Sequence, residues 1–189
     1  MKIERIELRR VYLPYVRRFE TSGWYEDGSF AIIVRVDADG VTGWGEAPVS
    51  DGPWYNEETY QTAWFMLQTF LGPLLLGAEL DDPRQTRHLF KRVRANRMAK
   101  SGLEFAVWDL FARAQNVSLS KLLGGTRDKV EVGVSVPIHA DVGLQIAPRE
   151  RGDDEADVGD QATVPGVLLV LLQAEVGVDA RRGPLARVH

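Results

Sequence analysis

A chain of 189 residues with a net charge of −4, 44% hydrophobic and 26% charged, has the composition of a soluble globular protein of one domain or a domain and a half. The acidic balance gives no general attraction to nucleic acid or to an anionic membrane, and the absence of cysteine excludes disulfides, thiolate metal sites and cysteine nucleophiles. The charged, alternating start MKIERIELRR has no apolar signal segment, and the longest apolar run, residues 167–172, is too short to cross a bilayer, so a cytoplasmic location is expected. Composition breaks along the chain: every aromatic residue lies at or before Phe111 and every lysine at or before Lys129.

Residues 2–13 alternate, with Ile6 and Leu8 on one buried strand face, and Pro14 is expected to close the strand. Residues 17–29, RRFETSGWYEDGS, read as a polar loop carrying Phe19, Trp24 and Tyr25. Phe30 to Val36 is a second strand, Asp39-Gly40 a hairpin turn and Val41 to Ala47 a third strand, in which Gly43 and Gly45 allow close backbone approach. The chain therefore opens as a three-stranded antiparallel meander. Residues 48–55, PVSDGPWY, form a second aromatic loop. Asn56 is placed to cap the next helix, with Glu57 and Glu58 beside its positive end. That helix runs through Tyr60, Ala63, Trp64, Leu67 and Phe70 and is expected to break at Gly72-Pro73. Asp82-Pro83-x-Gln85 starts another, reaching about Arg94 with Leu89, Phe90 and Val93 inward.

Residues 96–125, NRMAKSGLEFAVWDLFARAQNVSLSKLLGG, read as a long amphipathic helix, a short second helix and a double-glycine stop. Met98, Leu103, Ala106, Val107, Leu110, Phe111 and Ala114 recur at helical spacing; Lys100, Glu104 and Arg113 fall opposite. Asn116 suits the left-handed position that ends a helix. Sheet first and helices after predict an α+β domain over 1–125. Val130 to Ile138 alternates Val132, Val134 and Val136 with Glu131, Gly133 and Ser135, as a further strand. Residues 149–160 read as a solvated acidic loop, 166–175 as one short helix and 180–189 as a frayed end.

The run Arg97-Met98-Ala99-Lys100, then Leu103-Glu104-x-Ala106-x-Trp108-Asp109-Leu110, then Lys121-Leu122-Leu123-Gly124-Gly125 resembles the last capping-domain helices of the enolase superfamily. It is most similar to the branch of the muconate-lactonizing group that holds o-succinylbenzoate synthases and N-acylamino acid racemases. The resemblance runs from about Met1 to Ile138. It implies a capping domain at 1–125, the first strand of a (β/α) barrel at 126–140, and a non-homologous tail at 141–189, disordered or out of frame. It also implies a Mg²⁺-dependent lyase or isomerase that abstracts a proton next to the carboxylate of a small substrate, as in menaquinone biosynthesis, through an enediolate. Dehydratase, racemase and dipeptide epimerase all remain open. The family places its base lysines and acidic metal ligands on later barrel strands. This sequence has no lysine after Lys129, so no catalytic or metal residue is carried over and the chain alone is expected to be inactive and metal-free.

Carried over residue by residue, Phe19, Glu20, Thr21, Ser22 and Gly23, with Trp24, fit the first specificity loop. Pro53, Trp54 and Tyr55 fit the second, and Ser135 falls on the barrel strand. The plainer reading is that these aromatics pack across a domain interface and that Ser135 is satisfied within a sheet. The cluster Asp153, Asp154, Glu155, Asp157 and Asp160 lacks calcium-loop spacing, and His88 and His139 lack partners at ligand or triad spacing. Lys100 and Glu104 read as a surface i,i+4 pair, and Gly124-Gly125 as a helix stop. The rival class is a non-enzymatic module that binds small molecules or proteins through residues 19–24 and 48–55. Either way, exposed aromatics predict marginal stability and a homo-oligomer or self-associating fragment.

Overall fold

A computed structural model describes residues 1–20, 23–127, 129–130 and 170–172. Strand β1 (Ile3–Glu20) pairs antiparallel with β2 (Tyr25–Ala38), from Ile3 opposite Ala38 to Glu20 opposite Tyr25. The polar segment at 17–29 is thus mostly hairpin rather than loop, and Pro14 does not close the strand. A register shift between Pro14 and Phe19 absorbs the proline, which has no N–H to give to a ladder. Asp39 and Gly40 turn the chain at φ of 50° and 77°, as a two-residue hairpin requires, into β3 (Val41–Val49).

The sheet order is β3-β2-β1-β4, where β4 (Val170–Leu172) lies antiparallel to β1 with Leu172 opposite Arg10. These residues were expected within a short helix. The outer edge of β1 presents unpaired backbone groups that an extended segment satisfies and a helix does not.

One face of the sheet is buried under helices. Ile6, Leu8, Ile32, Val34, Val36 and Ala47 are at most 3% exposed there. The covering layer is α1 (Tyr60–Met66), a π-turn at Leu67–Leu71, α2 (Gly72–Leu75), α3 (Thr86–Leu89) between 3₁₀ turns at Pro83–Gln85 and Phe90–Arg92, α4 (Arg97–Ala114) and α5 (Leu119–Leu122). Leu67, Leu71, Leu75, Phe90, Leu103 and Leu110 fill the interior. The helical path does not break at Gly72-Pro73. The π-turn ends just before Pro73 and adjusts the backbone around a residue that has no N–H for the carbonyl four positions earlier.

Helix α4 lies close on β3 because two glycines let it. A Cβ on Gly43 would sit 2.1 Å from the Ala106 carbonyl oxygen, and one on Gly45 2.1 Å from that of Gly102. The α4 stripe is buried at Ala99, Gly102, Leu103, Ala106, Val107, Leu110, Phe111 and Ala112. Ala114 is exposed rather than inward, because the last turn of α4 runs past the start of β3. The Trp44 N–H donates to Asp109 Oδ2 at 2.9 Å, so the helix also covers the free edge of β3. Lys100 does not pair with Glu104; its ammonium donates to the Val93 carbonyl at 2.5 Å, satisfying the chain just after a 3₁₀ turn. Asn116 takes the left-handed conformation expected of it, at φ 53°.

The caps differ from expectation at one helix and agree at another. Thr59, not Asn56, caps α1: Thr59 Oγ1 accepts from the Thr62 N–H at 3.3 Å and Thr62 Oγ1 from the Thr59 N–H at 2.9 Å. Asn56 instead closes a tight turn, accepting from the Glu58 N–H at 2.8 Å. Asp82 accepts from the Arg84 N–H at 2.7 Å while the Gln85 amide oxygen accepts from the Asp82 N–H at 3.4 Å, as the Asp-Pro-x-Gln pattern predicts, and also from the Asp81 N–H at 2.9 Å.

Candidate functional site

In an antiparallel meander the loop after β1 and the loop after β3 leave the same end of the sheet. Here β2 begins between them, with Phe30 opposite both Tyr12 and Val49. Topology alone therefore brings together two segments that are some thirty residues apart in sequence. The hairpin tip carries Phe19 and Trp24, with ring centroids 6.1 Å apart, and Trp24 meets Tyr55 of the second loop edge-on at 6.4 Å. Both loops thus contribute to one aromatic cluster, and that cluster faces outward: Phe19 is 49% and Tyr55 80% exposed.

Trp54 is not in that chain of rings. Its indole lies over Gly52, where a Cβ would be 2.5 Å from Nε1, and it walls a cleft of about 280 Å³ with Tyr12, Tyr25, Phe30 and Asp51. Arg18 fixes the side of the hairpin next to this cleft. Its Nε and Nη2 donate to the two Asp27 oxygens at 2.7 and 3.2 Å, and its guanidinium lies 4.0 Å over the Tyr25 ring. The hydrogen bond from Asp27 raises the Arg18 pKa above its already high ordinary value.

A second, half-buried aromatic ladder, with only Trp64 fully buried, was missed by sequence reading. Tyr12 and Phe30 are 4.7 Å apart, Phe30 stacks on Tyr60 at 4.7 Å and 8°, and the Arg10 guanidinium sits 4.2 Å over Trp64. Its signal was present in the sequence: Tyr12 and Arg10 share the parity of Ile6 and Leu8, so the strand alternation places them on the helix-covered face. Of the residues singled out from sequence, Glu20 ends β1 opposite Tyr25, and Gly23 follows the hairpin tip. Thr21, Ser22, Ser135, His139, the acidic cluster of residues 153–160 and nearly all of the expected strand at 130–138 lie outside the described residues. His88 is exposed on α3.

Among the described residues, no three of His, Cys, Asp and Glu converge as a metal site. The cleft is lined by Glu26, Asp27 and Asp51, but Asp27 is engaged by Arg18. The described arrangement suits contact with the apolar and aromatic parts of a ligand and the exclusion of water. It contains no nucleophile paired with a base. No described helix is long and apolar enough to cross a membrane.

Residues 16–124 match the family model described as mandelate racemase / muconate lactonizing enzyme, N-terminal domain. The chain is 43% identical to the o-succinylbenzoate synthase of Geobacillus kaustophilus over 152 residues, covering 79% of this chain and 40% of that protein. It is 39% identical to the N-succinylamino acid racemase of Thermus thermophilus over 155 residues, covering 82% of this chain and 42% of that one. Its fold is similar to that of a solved enolase-superfamily protein from Enterococcus faecalis V583, with a TM-score of 0.69 and 35% identity over 76% of this chain and 39% of that one. The chain thus spans about 40% of the length of these curated relatives.

Proposed function

The chain belongs to the mandelate racemase / muconate lactonizing enzyme family, which it matches in the N-terminal domain, and we propose that it is the substrate-selecting cap of an enzyme of the o-succinylbenzoate synthase or N-acylamino acid racemase type. The observation that carries this reading is the contact of Trp24 with Tyr55, which makes two separate loops into one outward-facing aromatic surface. Phe19, Trp24 and Tyr55, with Trp54 beside them, hold the apolar part of a small carboxylate substrate and keep water from it; Glu20, Thr21, Ser22 and Gly23 shape the rim. Ser135 belongs to a barrel strand within residues 126–140 and faces the same substrate. Residues 1–125 are the capping domain, and 141–189 continue out of frame with the rest of the barrel.

In the intact enzyme the reaction would be removal of a proton next to a carboxylate, for which the family's Mg²⁺ would supply charge stabilisation. The described residues do not fit that ion, since hard divalent cations take several convergent carboxylate oxygens and none converge here. The base and the metal ligands belong, in this reading, to the part of the relatives that the chain does not match. Purified chain is therefore expected to show no dehydratase or racemase turnover.

A second reading is favoured by one observation, the pairing of β4 with β1, which uses tail residues as part of the sheet. On that reading the tail is a genuine continuation and the chain a non-enzymatic binding module. Translating the gene in all three frames from codon 130 onward separates the two. A Lys-x-Lys strand followed by acidic strands in another frame supports the cap of an enzyme. No such frame, together with binding of an N-acylamino acid by the chain in chelator, supports the module and sinks the enzyme.

A further inference from the structure

The net charge of −4 is an average over an uneven chain. Residues 84–100 hold seven of its 23 lysines and arginines and none of its 27 acidic residues. The fold brings this segment to the surface in a set orientation. Pro83, Thr86 and Phe90 are buried, and Leu89 and Val93 pack against the core. Arg84, Arg87 and Lys91 recur at three- and four-residue spacing along α3 and its flanking 3₁₀ turns, on the side away from the core, and all three are exposed. Arg92 beside them is exposed as well, as are Arg94 and Arg97 on either side of the left-handed pair Ala95-Asn96. Arg84 is held by Asp82 at 3.2 Å, and the Lys100 ammonium is engaged by the Val93 carbonyl. Arg87, Lys91, Arg92, Arg94 and Arg97 make no ion pair among the described residues. One or two cations at the end of α3 suit its negative end. Five do not, because like charges a helical turn apart, as Arg87 and Lys91 are, destabilise it. The folding of the chain does not account for the cluster.

We propose that this surface docks on the phosphate backbone of a double-stranded nucleic acid. Charges are screened within about 8 Å at physiological salt, so a polyanion lying on the patch feels these cations and not the acids spread over the rest of the chain. Four of the five unpaired cations are arginines, whose planar fork of donors matches two phosphate oxygens at once. Apolar chemistry decides against the other polyanionic partners. Among the described residues no large apolar side chain between Leu74 and Phe105 is exposed. A membrane-surface helix needs an apolar face to bury, a protein interface needs aromatic or aliphatic anchors, and a single strand needs rings on which its bases stack. A duplex backbone needs none of these. It presents roughly one charge per 1.7 Å of its axis on a rigid frame, so it loses less freedom on docking than a flexible polyanion does. Contacts of this kind read charge and position, not base sequence.

Fluorescence anisotropy of the full chain with a labelled DNA duplex is expected to show binding at about 50 mM salt that weakens on the order of a hundredfold by about 200 mM, as counter-ions are released from roughly four or five phosphates. A duplex of unrelated sequence is expected to bind equally well. Arg87→Gln/Lys91→Gln and Arg92→Gln/Arg94→Gln are each expected to weaken binding about tenfold or more, whereas Arg92→Lys/Arg94→Lys keeps the charge and most of the affinity. Lys2→Gln/Arg17→Gln removes the same charge from exposed positions outside the patch and is expected to change little. Every substituted side chain is exposed, and circular dichroism checks that each variant folds. No binding at low salt, equal losses from the patch pairs and the control pair, or tighter binding to polyglutamate or to phosphatidylserine vesicles than to the duplex overturns the proposal.

Discussion

The Glu58 carboxylate accepts the backbone N–H of Ala99 at 3.1 Å with one oxygen and that of Met98 at 2.9 Å with the other. It thereby caps α4 from a segment some forty residues earlier. The helix needs this, because Asn96 at its entry is left-handed, at φ 53°, and its side chain donates to the Arg94 carbonyl instead of accepting from the first turn. A negative charge at a helix N-terminus also meets the positive end of the backbone dipole. Glu58 is only 5% exposed and lies three residues after Tyr55, so the bond that starts the main helix also anchors the second aromatic loop.

Glu58→Ala is therefore expected to lower stability by about 2–3 kcal/mol, the scale for removing charge-assisted hydrogen bonds from buried donors. Glu58→Gln keeps one acceptor oxygen and is expected to lose about half as much. Urea denaturation with an unchanged m value measures both. Equal stability of the alanine variant and the parent would show that the helix end finds other partners.

Gly45→Ala places a methyl group against the Gly102 carbonyl and cannot be accommodated without moving α4 off the sheet. Overpacking of this kind costs roughly 1–3 kcal/mol, and the double variant Gly43→Ala/Gly45→Ala is expected not to fold. Thermal melts read the single variant. A single variant as stable as the parent would mean that the helix–strand contact is looser than the geometry states.

Ala95 has φ 49° and pays the usual left-handed penalty of a residue with a Cβ. Ala95→Gly is expected to stabilise the chain by up to about 1 kcal/mol, the left-handed strain relieved being partly offset by the greater freedom of the unfolded chain. A drop in melting temperature would contradict this.

The Trp24–Tyr55 pair is expected to show a coupling of about 0.5–1.5 kcal/mol in a double-mutant cycle, as aromatic edge contacts do. Trp24→Ala and Tyr55→Ala should each cost little beyond that, because the cluster is built at the surface and not in the core. Additive single effects would mean that the two loops are not joined.

Much of the fold was legible because it rests on local rules. Alternation located the strands, Asp39-Gly40 the turn, Asp82-Pro83-x-Gln85 a helix start and Asn116 a helix end. The glycines of β3 betrayed a close approach before the helix that makes it was known. Errors fell where local signals compete with distant ones. Pro14 reads as a strand end only if its neighbours must pair in register, and a bulge relieves that. Asn56 has the chemistry of a cap, but Glu58 draws the segment toward α4 and leaves the cap of α1 to Thr59. Lys100 has Glu104 within reach along its helix, yet its ammonium donates instead to a carbonyl of another segment.

For the candidate site, the sequence by itself determined which aromatics lie in polar segments and that an antiparallel meander must send both segments to one end. Only the tertiary structure decided which rings touch: Trp24 with Tyr55, and Trp54 apart from them over Gly52. It also decided that Arg10 belongs to Trp64, that Glu58 caps a helix forty residues on, and that the two faces of one sheet differ in kind. The reason is range. Strand parity, turn conformation and caps are settled by torsions and hydrogen bonds within a few residues, whereas ring contacts and buried ion partners depend on where separate elements come to rest when the apolar face is covered.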